Sequence, residues 1–157
     1  MGKIKQLVLL MLTAALLTGC GGQESKKEKP EADKSSDTEL TSFQMEHGIG
    51  PVTEPIELGD KLDPELIKKG ERMFELKCSA CHKFDSRYVG PPMAGITDVR
   101  TPAYIMNMIL NPVEMIEKHP IPQGLLGEYY TRMTNQNLSR EEARAIVEYL
   151  AAEAKKE

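Results

Sequence analysis

Tryptophan is missing from this 157-residue sequence, and aromatic residues of all kinds make up only 5% of it. Ring side chains usually supply much of a core's buried area. A domain this poor in them must fill its interior with Leu, Ile and Met, or with a bound group. Cysteine is scarce and odd in number, three in all, which excludes a framework made purely of disulfides. Positive charge is not in excess: 20 Lys and Arg stand against 24 Asp and Glu, a net charge of −4. That argues against a nucleic-acid binder, which wants a basic face. No apolar run reaches the ~20 residues that a membrane-spanning helix takes. What is present, 40% hydrophobic and 28% charged residues, suits an ordinary globular domain, and the length suits one domain with appendages.

The first appendage is an address. Residues 1–20 read MGKIKQLVLLMLTAALLTGC. Lys3 and Lys5 form a short basic start, and the apolar run from Leu7 to Leu17 has the length of a signal-peptide core rather than of a bilayer span. Gln6 occupies the place where a myristoylation motif wants Ser or Thr. Leu17-Thr18-Gly19-Cys20 resembles the lipobox of bacterial lipoproteins, in which small residues precede the cysteine that becomes the acylated N-terminus. The expectation is a signal peptide over 1–19 and a lipid anchor at Cys20, with the mature chain on the extracytoplasmic face of an envelope membrane. More than one acyl chain is needed for stable anchoring.

The second appendage is a linker. Residues 23–41, QESKKEKPEADKSSDTELT, hold almost nothing apolar and no helical or strand period, so they cannot bury enough surface to offset chain entropy. Residues 42–60 add Phe43, Met45, Ile49, Val52 and Ile56, apolar enough for part of that stretch to lie against a domain. Residues 20–60 contain 4 Lys and 10 acidic residues, whereas residues 61–157 contain 14 of each sign. The acidity therefore belongs to the linker, read here as spanning 20–60, and the domain at 61–157 is balanced. A flexible chain of about 40 residues has a root-mean-square reach of roughly 35 Å.

The domain reads as all-helical. Asp63-Pro64 is a helix start, with Asp as N-cap and Pro at the first helical position. Leu66, Ile67, Met73, Phe74 and Leu76 follow in helical register. Thr101-Pro102 opens a second helix, and Asn111-Pro112 opens a short turn of another. Ser139 with Glu142 three residues on is a capping box, ahead of an apolar stripe through Ala143, Ile146, Val147, Leu150, Ala151 and Ala154. Pro120, Pro122 and Gly124 are assigned to loops.

The chemistry lies just after the first of these helices, in Cys78-Ser79-Ala80-Cys81-His82. Thiols at this spacing can add to the two vinyl groups of one haem, and the adjacent imidazole can reach the iron. A zinc site would need about four ligands at ordered spacings, and His47 and His119 show no partner spacing. A thioredoxin-like redox pair would want a βαβ context, which is missing. Cysteine bookkeeping agrees, with one for lipid and two for haem.

These residues and their flanks resemble the class I cytochromes c over roughly 62–157. Gly70 and Phe74 match that family's Gly-x-x-x-aromatic pattern. Gly90-Pro91-Pro92-Met93-Ala94-Gly95 is similar to its G-P-x-L-x-G segment, with Met93 in the Leu position. Met133-Thr134 through Leu138-Ser139, with Tyr149-Leu150, resembles its axial-Met loop and last helix, although Thr134 stands where Pro is usual. The resemblance implies a class I cytochrome c fold around one covalent haem c. It implies His82 as proximal ligand, the Pro91 carbonyl as acceptor for the other ring N–H of His82, and Gly70 as the point where the first helix crosses the last.

Five methionines follow His82. Met106 and Met108 fall in a helical stripe, Met115 in a short amphipathic turn and Met93 on the proximal side, places where Met usually fills core. Met133 sits in the polar loop RMTNQN and is the expected sixth ligand. Arg87, Tyr88, Arg100 and Asn107 are candidates to bind haem propionates. The expected function is electron carriage outside the cytoplasm. A quinol-oxidising complex would be the donor, and a terminal oxidase or a periplasmic reductase such as nitrous oxide reductase the acceptor. The alternatives are a peroxidase-like haem enzyme or a gas or redox sensor with an open sixth site.

Overall fold

The computed structural model describes residues 39–156. The signal peptide, Cys20 and most of the linker lie outside the described residues. Seven helices and no strand occur within them: α1 (Ser42–His47), α2 (Pro64–Lys77), α3 (Ile96–Val99), α4 (Pro102–Leu110), α5 (Pro112–Lys118), α6 (Pro120–Tyr129) and α7 (Arg140–Ala154). None of these is long and apolar enough to cross a membrane.

The expected starts are in place. The Asp63 carboxylate accepts from Glu65 N at 2.9 Å ahead of Pro64. Thr101 Oγ1 accepts from Tyr104 N at 3.2 Å. Ser139 and Glu142 form the reciprocal capping box, with Ser139 N donating to Glu142 Oε2 at 2.8 Å. Each cap satisfies a first-turn N–H that has no partner within the helix.

The main core joins Phe74 of α2, Ala103, Ile105, Met106 and Ile109 of α4, and Ala143, Ile146, Val147 and Leu150 of α7. The few rings available are concentrated at one spot. Phe74, Phe84 and Tyr149 meet pairwise with centroids 5.2–5.7 Å apart. Gly70 is buried where α2 crosses α7. A Cβ there would lie 2.6 Å from the Ala145 carbonyl carbon and 2.8 Å from Tyr149 Cβ. The crossing expected near Tyr149 is therefore real, and only a residue without a side chain permits it.

Two expectations are corrected. The stretch assigned to loops at Pro120, Pro122 and Gly124 is helix α6. Proline is tolerated in a first turn because those N–H groups lack helical acceptors. His119 is the buried N-cap of α6: its Nδ1 accepts from Ile121 N at 3.3 Å and the residue is 0% exposed.

The second correction concerns where the linker ends, expected at residue 60 with part of 42–60 lying against the domain. Residues 41–52 are packed into the domain itself as a strap. α1 is closed by a capping box between Thr41 and Gln44, and Val52 belongs to the main core. A row of side chains spaced four apart along α4, α5 and the start of α6 takes up the strap's backbone. The Asn107 amide donates to the carbonyls of His47 and Val52, both at 2.9 Å, and its oxygen accepts from Val52 N at 2.9 Å. Asn111 Nδ2 donates to Ile49 O at 3.2 Å. Met115 Sδ accepts from Ile49 N at 3.0 Å. His119 Nε2 donates to Met45 O at 3.1 Å. A buried polar backbone must be paired somewhere, and here side chains pair it.

Candidate functional site

The Cys-x-x-Cys-His segment is wound by the end of α2. Cys78 N and Ser79 N both donate to Phe74 O, at 2.8 and 3.0 Å, and Cys81 N and His82 N both donate to Cys78 O, at 2.9 and 2.8 Å. These stacked turns gather two thiols and an imidazole within five residues. Both cysteines are free thiols, Cys78 partly buried and Cys81 exposed. Burial pushes the Cys78 thiol up to about 11, with the neighbouring Cys81 adding to the effect. Cys78 is thus a protonated thiol at neutral pH.

After His82 the chain returns alongside itself. Gly90 N donates to Cys81 O at 2.8 Å, Met93 N to Lys83 O at 2.9 Å and Ala94 N to Phe84 O at 3.1 Å. This register brings Pro91 O to 2.9 Å from His82 Nδ1. With Nδ1–H donating to that carbonyl, the lone pair is on Nε2, the tautomer a metal ligand requires. No other hydrogen bond involves the ring among the described residues. Gly90 abuts it, and a Cβ there would fall 2.6 Å from His82 Cε1. The family segment contains both residues but implies a role only for Pro91; that of Gly90 is set by its contact with the His82 ring.

The methionines separate by surroundings. Met106 is buried in the main core. Met115 is buried in the second cluster with Ile49 and Tyr104, its sulfur engaged by Ile49 N–H. Met108 packs on that same cluster. Met93 packs beside the main core and is held by its backbone to Lys83. Met133 lies outside any helix, half-buried, against the same apolar cluster that Cys78 touches. The histidines have other work: His47 Nδ1 is 2.9 Å from Thr101 Oγ1, and His119 caps α6.

The propionate candidates mostly have protein partners. Asn107 is 0% exposed and spends its amide on the strap, which corrects its assignment to the haem. Arg87 pairs with the Glu128 carboxylate, donates to Glu128 O at 2.7 Å and stacks 4.0 Å from the Tyr129 centroid. Arg100 donates to Val99 O at 2.6 Å and lies 5.5 Å from the Tyr104 centroid. Tyr88 is exposed, with Lys83 Nζ 5.2 Å from its ring.

Two free thiols, an imidazole presenting Nε2 and a side-chain-free Gly90 against that ring fit a covalently attached haem. Among the described residues no cluster of three or more His, Cys, Asp and Glu could hold a bare metal ion.

Comparison with known proteins agrees. A family model for cytochrome c matches residues 67–152. A search of curated protein sequences returned no match. Among solved structures, a cytochrome c from Rhodothermus marinus superposes with a TM-score of 0.69 at 44% identity, over 73% of this chain and 97% of that one. An engineered cytochrome c from the same organism superposes at 0.67 with 44% identity, over 71% and 96%. Another engineered form, bound to a carbene intermediate, reaches 0.65 at 43% identity over the same shares. With the helices, the Cys78-x-x-Cys81-His82 turn and these likenesses in agreement, the chain belongs to the cytochrome c family, as a class I, mono-haem member with covalently bound haem c.

Proposed function

We propose that this protein is a lipid-anchored carrier of single electrons whose haem iron is held between His82 and Met133. The observation that carries the reading is the contrast among methionines. Met106 is locked in a core helix and the Met115 sulfur is engaged by a backbone N–H. Met93 and Met133 are both half-buried loop thioethers on the cluster that Cys78 touches, but Met93 is tied by its backbone to Lys83, next to His82, whereas Met133 comes from a separate loop. When bound, haem c supplies a one-electron iron couple, which thioether ligation biases towards the ferrous state.

The chain's own residues do the positioning. Cys78 and Cys81 offer two covalent attachment points at the end of α2. The Pro91 carbonyl holds the His82 ring by Nδ1–H, so Nε2 is aimed without a rotamer search. Gly90 lets the backbone close on that ring. Cys78 and Met133 both pack on the main core, which keeps the two ligand-bearing segments in place through a change of charge.

The holoprotein is expected to show a six-coordinate, low-spin ferric spectrum with the weak sulfur-to-iron charge-transfer band. High-spin iron that binds azide or carbon monoxide readily would replace this reading with an open-site haem enzyme.

Cys20 and the polar, acidic residues after it support attachment to an envelope membrane. Cys20→Ser is expected to move the protein from the membrane pellet to the soluble fraction. Undiminished pelleting would sink the anchor. A quinol-oxidising complex as donor, and a terminal oxidase or a periplasmic reductase such as nitrous oxide reductase as acceptor, fit a carrier tethered there.

A further inference from the structure

The segment between α6 and α7, residues 130–139, carries Met133 and has no regular structure. Among the described residues, no backbone–backbone hydrogen bond holds residues 131–138 to the fold. One side-chain hydrogen bond does so, beside the packing of Met133 and Leu138 on the main core. Asn135 Nδ2 donates to Leu110 O at 3.1 Å, while Asn135 Oδ1 accepts from Asn137 N at 2.7 Å. The other side-chain bonds of the loop, from Gln136 Nε2 to Thr134 O and Oγ1, are internal to it.

The acceptor is not incidental. Leu110 is the last residue of α4, and the break at Asn111-Pro112 removes the N–H that a continued helix would have sent to its carbonyl. The other half of the Asn135 amide shapes the loop: its Asx turn delivers Asn137, at φ 54°, a left-handed conformation that Asn tolerates. The two halves of one amide thus fold the loop and fasten it to the rigid end of α4, two residues beyond Met133.

We propose that Asn135 is the positioning residue for the sixth ligand, holding the Met133 thioether towards the haem through its bond to Leu110. The inference rests on the reading of Met133 as that ligand. Its consequence is an equilibrium. An external ligand enters only when the sulfur is away, so its apparent affinity scales with the fraction of molecules in that state. Losing the strut raises that fraction, and with it the affinity, by about fivefold, the ordinary worth of one hydrogen bond.

The test is imidazole binding to the ferric holoprotein, followed by the spectrum. Asn135→Asp keeps an oxygen for Asn137 N–H but loses the donor to Leu110. It is expected to bind imidazole about fivefold more tightly than wild type and to weaken the charge-transfer band. Asn135→Ala, lacking both bonds, is expected to shift at least as far. In a Met133→Ala background, Asn135→Asp is expected to change nothing further, because no sulfur remains to be positioned. If Met133→Ala itself binds imidazole no more tightly than wild type, the ligand assignment fails. If Met133→Ala tightens binding but both Asn135 variants stay within twofold of wild type, the strut fails while the ligand stands. Equal tightening by Asn135→Asp in both backgrounds would place its effect elsewhere in the pocket and overturn the proposal.

Discussion

With Met133 as the proposed sixth ligand, Met133→Ala is expected to open that position on the haem and to lower the reduction potential. The sign follows from the donor. A thioether stabilises ferrous iron relative to ferric, so its removal favours oxidation. The size is on the order of 100 mV, a modest part of the roughly 0.8 V that axial ligands span across haem proteins. Folding should survive. Met133 is only half-buried at the rim of the core, and its loop is also anchored by Asn135, by the packing of Leu138 and by the Ser139 cap. Redox titration and the ferric spectrum check the outcome together. A variant with unchanged potential and an intact charge-transfer band would transfer the ligand role to another residue.

Gly70→Ala is expected to be the most destabilising single-methyl change in the domain. In a lone helix the substitution would help by about 1 kcal/mol. Here the added carbon would press on the Ala145 carbonyl and sit 2.8 Å from Tyr149 Cβ. A backbone carbonyl cannot rotate away, so α2 and α7 must separate. Overpacking a core usually costs about 1–3 kcal/mol, and a backbone obstruction belongs at the upper end or beyond. The net loss of roughly 2–3 kcal/mol corresponds to a melting temperature lower by about 10 °C. Thermal unfolding of the holoprotein measures it, and a variant melting with wild type would show that the two helices do not meet as closely as described. The damage would extend to the haem, since Phe74, on the same helix and four residues before Cys78, packs against Phe84 and Tyr149.

The parts of this molecule written in local chemistry were legible in the sequence. Asp63-Pro64, Thr101-Pro102 and Ser139 to Glu142 announce helix starts because a cap is a contact between near neighbours. The Cys78–His82 motif announces haem attachment for the same reason. The role of Pro91 was reached only through family resemblance, since its partner His82 is brought to it by the return of the chain; Met133 was singled out both by that resemblance and by its place in a polar loop. α6 was hidden because Pro120, Pro122, Gly124 and Gly127 argue against a helix by propensity. Its prolines fall where no N–H is needed, and neither glycine has any neighbour that a Cβ would meet. The strap was hidden more completely. Nothing local in HGIGPV says that Asn107, more than fifty residues on, will pair its backbone. Asn107 was therefore offered to the haem propionates, whereas its one buried amide, with an N–H2 and a C=O to satisfy, is taken up by backbone.

That strap changes where the protein can be cut. A chain trimmed to begin at residue 61 would retain every haem-binding residue, yet it would lose the cover over Tyr104 and Met115 and strand the Asn107 amide. What had been interior would become an oily exterior flecked with thirsty polar atoms, the kind of surface that draws molecules together. The packed cytochrome domain takes in all of α1 and the Leu40 before it.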